Sequence, residues 1–165
     1  MQIEKQKRKA DRIIDYAFRD KIKGWGMNGR ITFVKNKSKK MVYIPARLNS
    51  YNTLFLDGMT YRENCYECKY ARRDRCADLT IGDYWGIEKE HPELLKDKRY
   101  NEKEGISCIL ANTKNGIEIC KDVNKMIQMD NSTFVKVSHR NGQLNEPSKK
   151  PDNRKFIMEK YSTDG

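Results

Sequence analysis

Cys65, Cys68 and Cys76 fall within twelve residues and are the side chains of this chain best suited to chemistry. Cys65-Tyr66-Glu67-Cys68 is a C-x2-C pair. Two thiolates at that spacing converge on one metal, because the turn between them brings both sulfurs to the same side. Soft thiolates suit zinc or an iron–sulfur cluster. Cys76 extends the set to C-x2-C-x7-C, and His91 is the nearest histidine downstream. That spacing matches no familiar zinc finger, so two unligated thiols in a surface turn remain the competing reading. Cys108 and Cys120 sit among Ile106, Ile109 and Ile119 and read as small core residues. An odd count of five cysteines argues against a disulfide framework.

A second constellation follows the cysteines. Gly82 and Gly86 flank Asp83-Tyr84-Trp85. Glycines permit a tight backbone path and close approach of a ligand. Trp85 can stack on a planar ring, or plug the core at a strand end. No P-loop and no G-x-G-x-x-G after a strand is present, so phosphate cradling by those modes is not expected. No Ser/His/Asp or paired-carboxylate arrangement is evident in the sequence, and His139 reads as structural.

These residues need a scaffold. The 165 residues carry 34 Lys and Arg against 23 Asp and Glu, a net charge of +11. Residues 1–40 hold 13 of those cations and only 4 of the acids. A concentrated basic arm binds phosphates, nucleic acid or an acidic protein face, or simply solvates a helix, and it is expected to be exposed on one face. No apolar run approaches the roughly 18 residues of a membrane span, and the first residues hold no apolar signal core, so the chain reads as cytoplasmic.

Ile3, Ala10, Ile13, Ile14, Ala17 and Phe18 share one helical face, which predicts an amphipathic helix over residues 3–20. Gly24, Gly26 and Gly29 break the chain. Ile31–Val34 and Met41–Ile44 read as strands joined through a loop over Asn36–Lys40. Asn49 or Ser50 caps a short helix through Leu56, and residues 58–77 look irregular. Leu79–Ile81, Ile106–Ala111 and Thr133–Val137 read as strands, and residues 88–104 as a short helix and a loop. Ile117, Cys120, Val123 and Ile127 mark a second amphipathic helix, with Asn115 and Glu118 at capping-box spacing. A linker over Asn145–Lys150 leads to Pro151 and a last helix, Arg154–Tyr161. This is an α+β pattern: a mixed sheet of short strands with amphipathic helices packed on it, in a single domain.

The run Cys65-Tyr66-Glu67-Cys68-Lys69-Tyr70-Ala71, then Arg75, then Asp78-Leu79-Thr80-Ile81-Gly82-Asp83-Tyr84-Trp85-Gly86-Ile87 carries a resemblance. It resembles the C-terminal domain of the coenzyme F-420 hydrogenase/dehydrogenase beta subunits, whose relatives include bacterial proteins associated with polysaccharide biosynthesis. Phe18-Arg19-Asp20-Lys21 with Gly24-Trp25 is similar to the family's opening segment. Gly105-Ile106-Ser107, Asn112-Thr113 and Gly116 are similar to its downstream half, and Pro147–Pro151 with Asn153-Arg154 to its close. Nearly the whole chain is covered, and the block from Cys65 to Gly86 is the specific part.

The resemblance implies an iron–sulfur flavoprotein module that passes electrons among a cluster, a flavin and a deazaflavin or other partner. It makes Cys65 and Cys68, with Cys76 beside them, the candidate cluster ligands. Thr80, Gly82, Asp83, Trp85 and Gly86, together with Arg19 and Lys21, become candidate cofactor-binding positions. Asp83 would accept hydrogen bonds from a flavin, and Arg19 and Lys21 would meet its phosphate, unless Arg19 pairs internally with Asp78 or Asp83. A four-iron cluster usually takes four cysteines, and no cysteine precedes Cys65. The chain is therefore expected to be the C-terminal portion of a longer protein or a shortened relative. It would work with a ferredoxin-like domain or redox partner and bind little or no cofactor alone. The alternative is a basic zinc- or nucleic-acid-binding module without catalysis, though its aromatics Tyr16, Phe18, Trp25 and Phe33 fall on apolar faces where core packing explains them.

Overall fold

The computed structural model describes residues 2–26, 28–96 and 98–164. In chain order the elements are α1 (Gln2–Arg8), β1 (Arg12–Ala17), β2 (Gly29–Lys35), β3 (Ser38–Ile44), α2 (Ser50–Leu56), α3 (Glu63–Tyr66), β4 (Leu79–Asp83), α4 (Ile87–Glu90), α5 (Pro92–Lys96), β5 (Ser107–Ala111), α6 (Lys114–Val123), α7 (Phe134–Ser138) and α8 (Arg154–Asp164). The class is α+β. The strands lie in two separate sheets, both antiparallel. The chain divides into two compact units, one built from the described residues up to Arg62 and from Lys149 onward, the other from Glu63–Ser148.

The first unit is built on the sheet β1-β2-β3. Its core is Ala10, Ile31, Phe33 and Ile44, flanked by Ile13, Tyr16 and Val42. The β2–β3 turn is Asn36-Lys37, with both residues at positive φ, 51° and 62°. The hairpin is thus tighter than the five-residue loop expected from composition, because two left-handed residues match the twist of the strands they join. Asn49 caps α2 by accepting from the Tyr51 amide at 3.1 Å. The Tyr16 hydroxyl donates to the same Asn49 oxygen at 2.6 Å.

The helix expected over residues 3–20 is not there. It ends at Arg8, Lys9 turns with φ 48°, and Arg12–Ala17 is strand β1. The register of β1 on β2 slips between Ile13 and Asp15. That bulge sends Ile13 and Tyr16 to the same side, three residues apart, as a helix would. Of the expected helical face, Ala10 and Ile13 do reach the core, while Ile14 and Phe18 are 45% and 52% exposed. The basic surplus is only partly surface: Arg8, Arg19, Arg30 and Lys35 are half-buried.

The second unit centres on the pair β4–β5, registered Leu79↔Ala111 through Asp83↔Ser107. Its core is Tyr84, Ile87, Ile106, Val137 and Leu144. The cap of α6 is Thr113, which accepts from the Gly116 amide at 3.1 Å, and not the Asn115–Glu118 pair. The strand expected at Thr133–Val137 is helix α7, capped by Thr133 through the Lys136 amide. Phe134 and Val137 both reach the core from it, a three-residue spacing that a strand would split between two faces.

Candidate functional site

Cys65 lies in α3 and Cys68 just beyond it, both half-buried, while Cys76 is exposed. The Ala71 amide donates to the Cys68 carbonyl at 3.1 Å, turning the chain after the pair. All five cysteines are free thiols. Among the described residues no group of three or more His, Cys, Asp or Glu is arranged to hold a metal ion. A cluster or zinc at the C-x2-C pair therefore does not find a full ligand set in the described residues.

The glycine block splits into different jobs. Thr80, half-buried in β4, accepts from the Asn112 side-chain amide at 3.1 Å. Gly82 is exposed, and a Cβ there would meet nothing within 4 Å. Asp83 ends β4 opposite Ser107. The carbonyl of half-buried Trp85 accepts from Asn141 at 3.4 Å. Gly86 has φ 90° and immediately precedes α4, and a Cβ there would overlap the Arg140 side chain. Its glycine serves the turn and a close neighbour. Arg19 and Lys21 belong to the first unit. Arg19 donates to the Gly26 carbonyl at 3.2 Å, and Lys21 is exposed. Between them Asp20 binds Arg30 at 2.7 Å, an internal ion pair of the kind expected for Arg19.

Within the second unit a cleft of about 890 Å³ opens beside β5. That volume is in the range of small-molecule sites. Its walls include Tyr84, His91, Tyr100, Cys108, Ser132 and Phe134, and none of Thr80, Gly82, Asp83, Trp85 or Gly86 lines it. Arg73 and Arg75 add positive charge. Buried His91 is held from both sides: Nδ1 lies 2.9 Å from Glu93 Oε1 and Nε2 lies 2.8 Å from Ser132 Oγ. The Tyr84 hydroxyl lies 3.0 Å from the same Ser132 oxygen. His91 is thus engaged by hydrogen bonds at both ring nitrogens, and His139 pairs with Glu90 at 2.7 Å.

Electrostatics follow from these bonds. The bond from His91 holds the Glu93 carboxyl below its ordinary range. Burial pushes the Tyr84 hydroxyl up, against the opposing pull of Ser132. Burial likewise raises the Cys108 thiol, whose S–H points at the Gly82 carbonyl 3.5 Å away. Sequence reasoning missed the Glu93–His91–Ser132 array. His91-Pro92-Glu93 was readable as a histidine and a carboxylate placed around a helix-starting proline, but nothing in the sequence ties Ser132 to it from 41 residues away.

Residues 2–136 match the family model that describes the C terminus of the coenzyme F420 hydrogenase/dehydrogenase beta subunit. The chain belongs to this family. The match takes in both sheets, the cysteine pair, the glycine block and the His91 and Ser132 positions; the segment 147–154, read from the sequence as the family's close, lies outside it. No curated protein and no solved structure gives a significant match to the chain. Membership makes this F420 hydrogenase-type beta-subunit domain redox-related. No helix among the described residues is long and apolar enough to cross a membrane.

Proposed function

We propose that this beta-subunit domain is one part of an electron-transfer assembly that joins an iron–sulfur cluster, a flavin and a partner protein, and that it is incomplete alone. The observation that carries the reading is the family match over residues 2–136. The half-buried Cys65–Cys68 pair supports it, as two soft ligands awaiting the rest of a set from a ferredoxin-like region or partner. The cleft supports it too, since its volume and its aromatic lining suit a planar cofactor. Arg73 and Arg75 would meet that cofactor's anionic groups. A bound flavin would supply hydride and single-electron chemistry; the chain's own residues would bind and orient it and keep water from one face.

The test is anaerobic reconstitution of the chain with iron and sulfide, followed by metal analysis, a visible spectrum and titration with flavin. The expected result is no stoichiometric four-iron cluster on the chain alone, with flavin binding weakened when Arg73 and Arg75 are both changed to Ala. A full four-iron cluster would overturn incompleteness. Zinc bound at Cys65 and Cys68, together with salt-sensitive nucleic-acid binding and no flavin affinity, would favour the basic binding module instead.

A further inference from the structure

We propose that Ser132, aligned with His91 and Glu93 on the wall of the second-unit cleft, is an activated nucleophile that takes acyl groups from esters. The inference goes beyond the redox reading and uses the same cleft, so an ester and a flavin would compete for it, and the serine label and the flavin titration report on the two separately.

Proton bookkeeping gives the array one direction. Glu93, held ionised by its bond from His91, only accepts hydrogen bonds. His91 Nδ1 therefore carries the proton and donates to Oε1 across 2.9 Å. In the neutral imidazole, the form that can act as a base, Nε2 is then a bare acceptor and the Ser132 hydroxyl donates to it across 2.8 Å. With its proton committed there, Ser132 Oγ receives the Tyr84 hydroxyl across 3.0 Å. This is the tautomer and orientation in which a serine loses its proton to a general base. The His91 ring cannot turn away easily. It is buried and stands edge-on to the Tyr84 ring at 5.9 Å between centroids. Ser132, by contrast, is exposed and lines the cleft.

The step balances with water as the only co-reactant. Ser132 Oγ forms a bond to the ester carbonyl carbon as its proton passes to His91 Nε2. Glu93 holds the imidazolium; it is a positioning residue. The Tyr84 hydroxyl turns its proton to the oxyanion forming beside Oγ. The C–O bond to the alcohol breaks, and His91 returns the proton to that leaving oxygen. Water then attacks the acyl-serine, gives one proton to His91, and releases the acid as Ser132 recovers its own. An ester and water become an acid and an alcohol, with nothing oxidised or reduced. The apolar wall made by Ile87, Leu94, Ile106 and Val137 suits an apolar acyl chain.

The test treats the full chain with a fluorescent fluorophosphonate and, separately, with p-nitrophenyl butyrate. Native protein should take one label, mapped by mass spectrometry to Ser132, and heat-denatured protein none. Ester hydrolysis should fall ~100-fold or more in Ser132→Ala and in His91→Gln. Thermal melts of each variant report folding, and the native-against-denatured comparison needs no variant. Absence of label on native protein, or a label that survives Ser132→Ala, would overturn the proposal and leave the array as a tether of residue 132 to α5.

Discussion

Gly116, in the first turn of α6, rests against the backbone carbonyl of Asp78, so that a Cβ at position 116 would overlap the Asp78 oxygen. The same carbonyl accepts the Asn112 amide at 2.8 Å, and the Thr113 hydroxyl bonds the Asp78 carboxylate. The start of α6 is therefore fastened to the residue preceding β4 by backbone as much as by side chain. Backbone cannot step aside as a flexible side chain does.

Gly116→Ala should accordingly cost ~1–3 kcal/mol, the usual range for overpacking. Gly82→Ala, where a Cβ meets open space, should stay within ~0.5 kcal/mol of the parent. Urea unfolding of the two variants side by side checks the contrast. Equal losses would mean that neither glycine is chosen for close approach.

Lys37→Gly should raise stability by ~0.5–1 kcal/mol. The second residue of the β2–β3 turn sits at φ 62°, where lysine is strained and glycine is not. Lys37→Val should lower it, since a β-branched side chain tolerates that conformation worst. Thermal melting gives both signs.

These two positions also mark what the sequence disclosed and what it withheld. The β2–β3 hairpin was legible, though not its two-residue turn, because β-rich runs report local backbone directly. The short strands at Leu79 and Ile106 were legible for the same reason, and the α2 cap because Asn49 and Ser50 are both capping residue types, of which the structure uses Asn49. Gly116 stood out only through the family resemblance, and its contact with Asp78 was not legible. Nor was strand β1, because Ile3, Ala10, Ile13, Ile14, Ala17 and Phe18 fall at helical spacing, yet Ile3, Ile14 and Phe18 are exposed and Arg12–Ala17 pairs with β2. Helix α7 was missed because Phe134, Val135 and Val137 favour strands in isolation, yet the Thr133 cap and the packing of Phe134 and Val137 decide otherwise. At the site, Cys65, Cys68 and the glycine block were readable as motifs. The Glu93–His91–Ser132 array joins two distant segments, and no pattern within either one announces the other.

Acid should weaken the first unit through Asp20. The hydrogen bond from Arg30, reinforced by the Ile22 amide at 3.0 Å, holds the Asp20 carboxyl below its ordinary value of 3.8. A carboxylate depressed on folding contributes stability that is fully present above the unfolded value. That contribution is lost as pH falls through the folded one. Asp20→Asn should be less stable at neutral pH and show a flatter acid limb. Unfolding midpoints measured from neutral pH down to about pH 2 would reveal it. Parallel curves for parent and variant would rule the pair out as a source of acid sensitivity.

Alkali should act on the second unit through Tyr100, in the opposite sense. Burial, followed by the hydrogen bond to Asp130 and that carboxylate's charge, pushes the Tyr100 hydroxyl from 10.0 to about 12. The phenol is the form that can donate to Asp130; the phenolate would face a like charge, only partly offset by Arg99. Asp130 is itself bound to Arg99 at 3.0 Å, which fixes the acceptor in place. A hydroxyl whose value rises on folding gives stability that is present below the unfolded value and is lost as pH climbs through the folded one. The loss should therefore run from about pH 10 to about pH 12. Tyr100→Phe should remove that part of the alkaline decline, and a late-ionising step should vanish from the phenolate absorbance of the folded protein. Asp130→Asn should move the same step to lower pH without abolishing it. If the step persists unchanged in Tyr100→Phe, another tyrosine is responsible and the Tyr100–Asp130 bond does not govern alkaline unfolding.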